Sequence, residues 1–116
     1  MKIQLTVAYV GFGGNTGGGQ YFYSYFPDTI KVNKENETLE FVLSDATDKR
    51  FEIDTLVSTD ANSQFKLPVL RSDKRSLDVL DVNSKPQLTL VSIVVKDTIS
   101  GLHISCDPQV LNVPDW

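Results

Sequence analysis

A chain of 116 residues with 41% hydrophobic and 22% charged residues has the size and composition of one globular domain, spanning residues 1–116. Its formal charge of −4 opposes nucleic-acid binding, because affinity for phosphate backbones comes from clustered Lys and Arg that release counterions. No stretch approaches the ~20 apolar residues of a membrane helix, so a membrane is not an expected partner either.

Polar Gln4 and Thr6 interrupt the segment in which a secretory signal would need an unbroken apolar run. The single cysteine, Cys106, has no partner for an internal disulfide and suits a reducing compartment. Together these point to a soluble, cytoplasmic protein.

Ile3, Leu5, Val7 and Tyr9 alternate with polar or small residues, which predicts a half-buried strand over Lys2 to Val10. A glycine-rich stretch follows, GFGGNTGGGQYFYSYF from Gly11 to Phe26, and it holds six of the seven glycines. It does not fit a phosphate loop. Gln20-Tyr21 stands where Lys and Ser/Thr are needed, and an aromatic strand follows where a helix is needed. The expected role is a mobile hairpin connection in which glycine supplies positive φ.

Gln20 to Phe26 is predicted as the second strand, ending at the turn signal Pro27-Asp28. Ile30 and Val32, then Leu39, Phe41 and Leu43, then Phe51, Ile53, Thr55 and Val57 mark three more. Phe65, Leu67 and Val69 predict a short strand that Pro68 assigns to a sheet edge or an extended segment, and Leu77 and Val79 another. Between them Lys66, Arg71, Lys74 and Arg75 cluster, but Asp73 and Asp78 interrupt them and the reading is a solvated loop. Leu88 to Lys96 carries apolar residues on both faces, which predicts a central strand. Leu102, Ile104 and Cys106 form the next run, halted by Asp107-Pro108, after which Val110, Leu111 and Val113 can still pack. Short strands with turn signals and no helical stripe predict an all-β protein, a single immunoglobulin-like or cupredoxin-like antiparallel β-sandwich.

Three constellations invite chemistry. His103, Ser105 and Asp107 share one strand face but stand nearly 7 Å apart along it, at ~3.3 Å per residue, too far for proton relay. His103 and Cys106 point to opposite faces and cannot share a metal, so Cys106 reads as a buried small hydrophobe. Asp45, Asp48, Asp60 and Asn62 lack the spacing of a calcium loop. No catalytic residue, metal or cofactor is therefore assigned. Tyr21, Tyr23 and Tyr25 lie on one face of the second strand and Phe22 and Phe26 on the other. If the phenylalanines enter the core, the tyrosines form an exposed stripe suited to a protein partner or to stacked sugars. The alternatives are that the tyrosines are half-buried under a neighbouring loop, or that the faces are swapped.

The run YFPDTIKVNKENETLEFVL resembles the early strands of cupredoxins. With one histidine, and Met1 as the only methionine, such a fold would come without copper. The ending CDPQVLNVP, through Asp107, Pro108, Gln109, Val110, Asn112 and Pro114, resembles the tail of the DP-EP family of small bacterial β-sandwich proteins, and Pro27 to Val32 supports that likeness. The resemblance implies a fold and a bacterial source, and no activity. The expected function is a non-enzymatic interaction or structural module that meets a macromolecular partner or a second copy of itself. The alternative is a carbohydrate-binding module using Tyr21, Tyr23 and Tyr25.

Overall fold

The computed structural model describes residues 1–59, 63–107 and 109–114. Ten strands follow in chain order: β1 (Lys2–Tyr9), β2 (Tyr21–Phe26), β3 (Ile30–Val32), β4 (Glu37–Leu43), β5 (Phe51–Ser58), β6 (Phe65–Leu70), β7 (Ser76–Asp81), β8 (Gln87–Asp97), β9 (His103–Cys106) and β10 (Gln109–Asn112). β1 to β9 begin and end within a few residues of the limits that alternation and turn formers predict, whereas β10 is a strand where the sequence suggests only that Val110, Leu111 and Val113 can pack. One sheet runs β2-β1-β4-β7-β6 and the other β3-β10-β8-β5, with β9 also paired to β8. The fold is an all-β sandwich.

It is not wholly antiparallel, as the sequence reading expects. β1 pairs with β4 in parallel, and β3 with β10 likewise. The cause is connectivity: after β2 the chain crosses to the other sheet as β3 and returns as β4, a detour long enough to bring two strands side by side in the same direction.

The core forms where the inward positions of both sheets meet. Ile3, Leu5 and Val7 of β1 and Leu39, Phe41 and Leu43 of β4 face Phe51 and Ile53 of β5 and Val91, Ile93 and Val95 of β8, all buried. Each such side chain contributes about 1.5–3 kcal/mol through removal of apolar surface from water. β8 does lie centrally, but its outer face is only partly covered: Leu88 and Leu90 stay exposed, while Ser92, Val94 and Lys96 are half-buried.

Two polar clusters are built into this apolar frame. Asp81 at the end of β7 accepts from Asn112 Nδ2 at 2.9 Å and from the Asn83 backbone N–H at 3.1 Å, while Asn83 Nδ2 donates to the carbonyls of Val32 and Lys34. These bonds join the last residues of β3, β7 and β10. The second cluster surrounds Asp97 at the end of β8. Arg50 Nε donates to Asp97 Oδ1 at 2.9 Å and its Nη2 to Oδ2 at 2.7 Å, and the Tyr21 hydroxyl donates to Oδ2 at 2.6 Å. The Arg50 guanidinium also lies 5.3 Å from the ring centre of Tyr9 and 5.5 Å from that of Phe51. The charge of a fully buried carboxylate is thus matched by a bidentate cation and a phenol, the arrangement that offsets its desolvation.

Candidate interaction surface

The glycine-rich stretch turns out to be a strap. Val10 and Gly11 both donate to the Gln20 carbonyl, closing the hairpin, and a single 3₁₀ turn occupies Gly17–Gly19. The chain between then runs back along the outer edge of β2. Thr16 and Tyr21 exchange backbone hydrogen bonds of 3.2 Å, and the Asn15 side-chain amide pairs with Tyr23, accepting from its N–H at 2.8 Å and donating to its C=O at 2.9 Å. One asparagine thereby stands in for a residue of a neighbouring strand. The sequence reading expects a mobile turn; the structure instead shows a segment that occupies the open edge of a sheet, a recognised way to keep an edge from pairing with other chains.

The strap also links the two sheets. Thr16 Oγ1 donates to the Ser105 carbonyl of β9 at 2.6 Å, and the Tyr25 hydroxyl donates to the Cys106 carbonyl at 2.8 Å. The second bond needs β2 to turn Tyr25 inward. Tyr21 is 1% exposed, and Tyr23 and Tyr25 are half-buried against the core. Burial raises the phenol pKa of both Tyr21 and Tyr25, so both hydroxyls stay protonated and able to donate. Of the arrangements left open by the sequence, the structure swaps the faces and leaves Tyr23 and Tyr25 half-buried. Tyr21, Tyr23 and Tyr25 do not form an exposed stripe; the hydroxyls of Tyr21 and Tyr25 meet Asp97 and the Cys106 carbonyl from inside.

Phenylalanine therefore faces water. Phe22 is 43% exposed, Phe26 76%, and Phe12 at the start of the strap 87%. The register sets Phe26 opposite Gln4, Ser24 opposite Thr6 and Phe22 opposite Ala8. The outer face of the β1–β2 pair thus carries two aromatic rings with small residues between them. A second apolar patch lies on the outer face of the other sheet, where Leu111 stands directly opposite Leu88 and exposed Leu90 and Val57 border a cleft of about 350 Å³.

The other edges are closed by different means. β6 has a register shift between Lys66 and Val69, with Leu67 at φ 55° and Pro68 beside it, which bends the edge away from regular pairing. Along β5, Ile53 donates to the Lys74 carbonyl and Arg75 Nη1 donates to the Phe51 carbonyl. Arg75 reaches the carbonyls of Ser44, Thr47 and Asp48 as well, and Arg71 bridges Glu40 and Asp78. The segment 71–74 is exposed, as the reading of a solvated loop expects, while Arg75 at its end is part-buried and ties it to the 44–51 segment.

The residues that invite chemistry are dispersed. His103 of β9 is exposed, and its Nε2 lies 3.6 Å from Asp54 of β5, on the far side of β8, while Ser105 offers its carbonyl to the strap. Asp48 Oδ1 accepts from the Arg50 backbone N–H in a tight turn. Asp60 and Asn62, half of the weighed calcium set, lie outside the described residues. Cys106 is buried on the inward face with Ile104, and burial pushes its thiol up to about 12. The native protein is expected to be inert to a thiol reagent at mildly alkaline pH and to react promptly once denatured, which a colorimetric thiol assay with and without urea will show. No protein-family model and no curated protein sequence matches the chain.

Proposed function

We propose that the chain is a non-catalytic interaction or structural module whose contact surface is the phenylalanine-bearing outer face of β1 and β2. The observation that carries this reading is the outward placement of Phe12, Phe22 and Phe26 on a frame held by the strap and the Asp97 cluster. Exposed aromatics on a fixed sheet lose little conformational entropy on binding and are the residue types over-represented in protein interfaces. A photoreactive phenylalanine analogue at position 22 or 26, introduced in the producing cell, is expected to cross-link to a polypeptide, whereas the same group at exposed Lys31 is not. Equal or absent cross-linking at all three positions would overturn the reading.

The carbohydrate-binding alternative loses the residues it was built on, since the tyrosines face inward. Melting temperature against oligosaccharides, nucleotides, calcium, zinc and copper separates the two, because a ligand that prefers the native state raises it. A rise with a sugar that Phe22→Ala removes would favour the alternative. We retain the DP-EP likeness and a cupredoxin-like or immunoglobulin-like assignment as part of this proposal. The two segments that carry the likeness lie side by side in the parallel pairing of β3 with β10, where Ile30 meets Val110 and Val32 meets Asn112.

A further inference from the structure

We propose that β2 pairs with β2 of a second copy, antiparallel and centred on Ser24, once Asn15 releases the edge. This rests on the interaction-module reading and names its partner. Residues 22–26 read Phe-Tyr-Ser-Tyr-Phe, a palindrome about Ser24. In a two-fold pair of antiparallel strands each residue meets its mirror position, so Phe22 meets Phe26 of the second copy, Tyr23 meets Tyr25, and Ser24 meets Ser24. The hydrogen-bond phase agrees with this centre. Asn15 bonds the N–H and C=O of Tyr23, so those groups point away from β1, and Tyr25 presents the next such pair on the same edge. Centring on Ser24 makes Tyr23 and Tyr25 the hydrogen-bonded pairs. Ser24 and the phenylalanines then fall at the non-bonded sites, where opposing Cα atoms come within about 4.5 Å and side chains meet most closely.

The exchange is balanced in polar terms. Two Asn15 bonds to Tyr23 are given up in each copy, and the two Tyr23–Tyr25 pairs supply the same number of strand bonds. The net gain is the covering of Phe22 and Phe26 by their counterparts. Pro27, which has no N–H, ends the ladder at one side, and the Thr16–Tyr21 bridge ends it at the other. Gly13 and Gly17, both at positive φ, flank Asn15 and give the strap a hinge on each side.

The test is a register-specific cross-link. Ser24→Cys lies at an exposed position and brings two cysteines to a separation that a disulfide can span. It is expected to form a disulfide dimer under mild oxidation. Phe22→Cys, whose mirror position is residue 26, is expected to form little alone and to cross-link efficiently with Phe26→Cys. In sedimentation, Asn15→Ala is expected to tighten self-association about tenfold, as the competing bonds are removed. Equal cross-linking of Ser24→Cys and Phe22→Cys, or no effect of Asn15→Ala, would overturn the proposal. If photo-cross-linking from Phe22 still captures a different polypeptide, the module reading stands and only self-pairing falls; if neither cross-link forms, both fall.

Discussion

Replacing Gly14 with alanine is expected to cost about 2–4 kcal/mol of stability and to lower the melting temperature by roughly 10 °C. A Cβ at Gly14 would sit 1.9 Å from the Tyr21 carbonyl oxygen and 2.5 Å from its carbon, distances no side chain can occupy. Because the obstacle is backbone, no rotamer change relieves it. Either the strap lifts or the start of β2 shifts. Lifting the strap breaks the bond from Gly14 N–H to Gly19, the Thr16–Tyr21 pair, the Asn15–Tyr23 pair and the link from Thr16 to Ser105. Each contributes about 0.5–1.5 kcal/mol net, and water recovers part of it, which sets the range given. Gly18→Ala is the control. Its φ of 67° disfavours alanine, but nothing lies within 4 Å, so its expected cost is about 1 kcal/mol from backbone strain alone. Equal losses in urea melts of the two variants would show that close approach at Gly14 does not govern the strap.

Asp97→Asn is expected to destabilise the domain by roughly 2–4 kcal/mol at neutral pH, less than a wholly buried pair would, because Arg50 keeps 22% side-chain exposure while Asp97 has none. The variant keeps an acceptor for Tyr21 but leaves Arg50 facing a neutral group. The Arg50 fork holds the Asp97 carboxyl well below the usual carboxylate range, against the opposing effect of burial, with Tyr21 adding to the lowering. A depressed carboxylate stabilises the fold above its unfolded pKa of about 3.9. Below that the unfolded chain takes up a proton that the folded state resists, so the contribution falls as pH drops toward the folded pKa. Wild type and variant should therefore differ fully at about pH 7 and 5 and converge as pH falls below about 4. A gap independent of pH would mean that the lost energy is packing and not charge.

Strand positions were legible because alternation of apolar and polar residues has an unambiguous period. The sign of that alternation was not legible at β2. Phe22 and Tyr23 are both aromatic, and choosing the inward face requires knowing that Asp97 and the Cys106 carbonyl wait there for hydroxyl donors. Asp97 itself reads locally as the first residue of a turn, and only the fold brings Arg50 and Tyr21 to it. The same limit hid the strap. Glycine content signals a turn, whereas the mimicry of a strand residue by Asn15 depends on where the loop lands. Parallel pairing of β1 with β4 was equally invisible, since alternation within a strand says nothing of its neighbours.

The pairing of β3 with β10 has a consequence for how the chain acquires its structure. β3 is only three residues long, and among the described residues its neighbour in the sheet is formed by residues 109–112, distant in sequence. During synthesis Ile30 and Val32 must wait for this pairing until residues 109–112 emerge. Closing so large a loop belongs to the late, slow part of folding in sandwiches rich in distant contacts. A strand made long after β3 is therefore the one that lets it take its place.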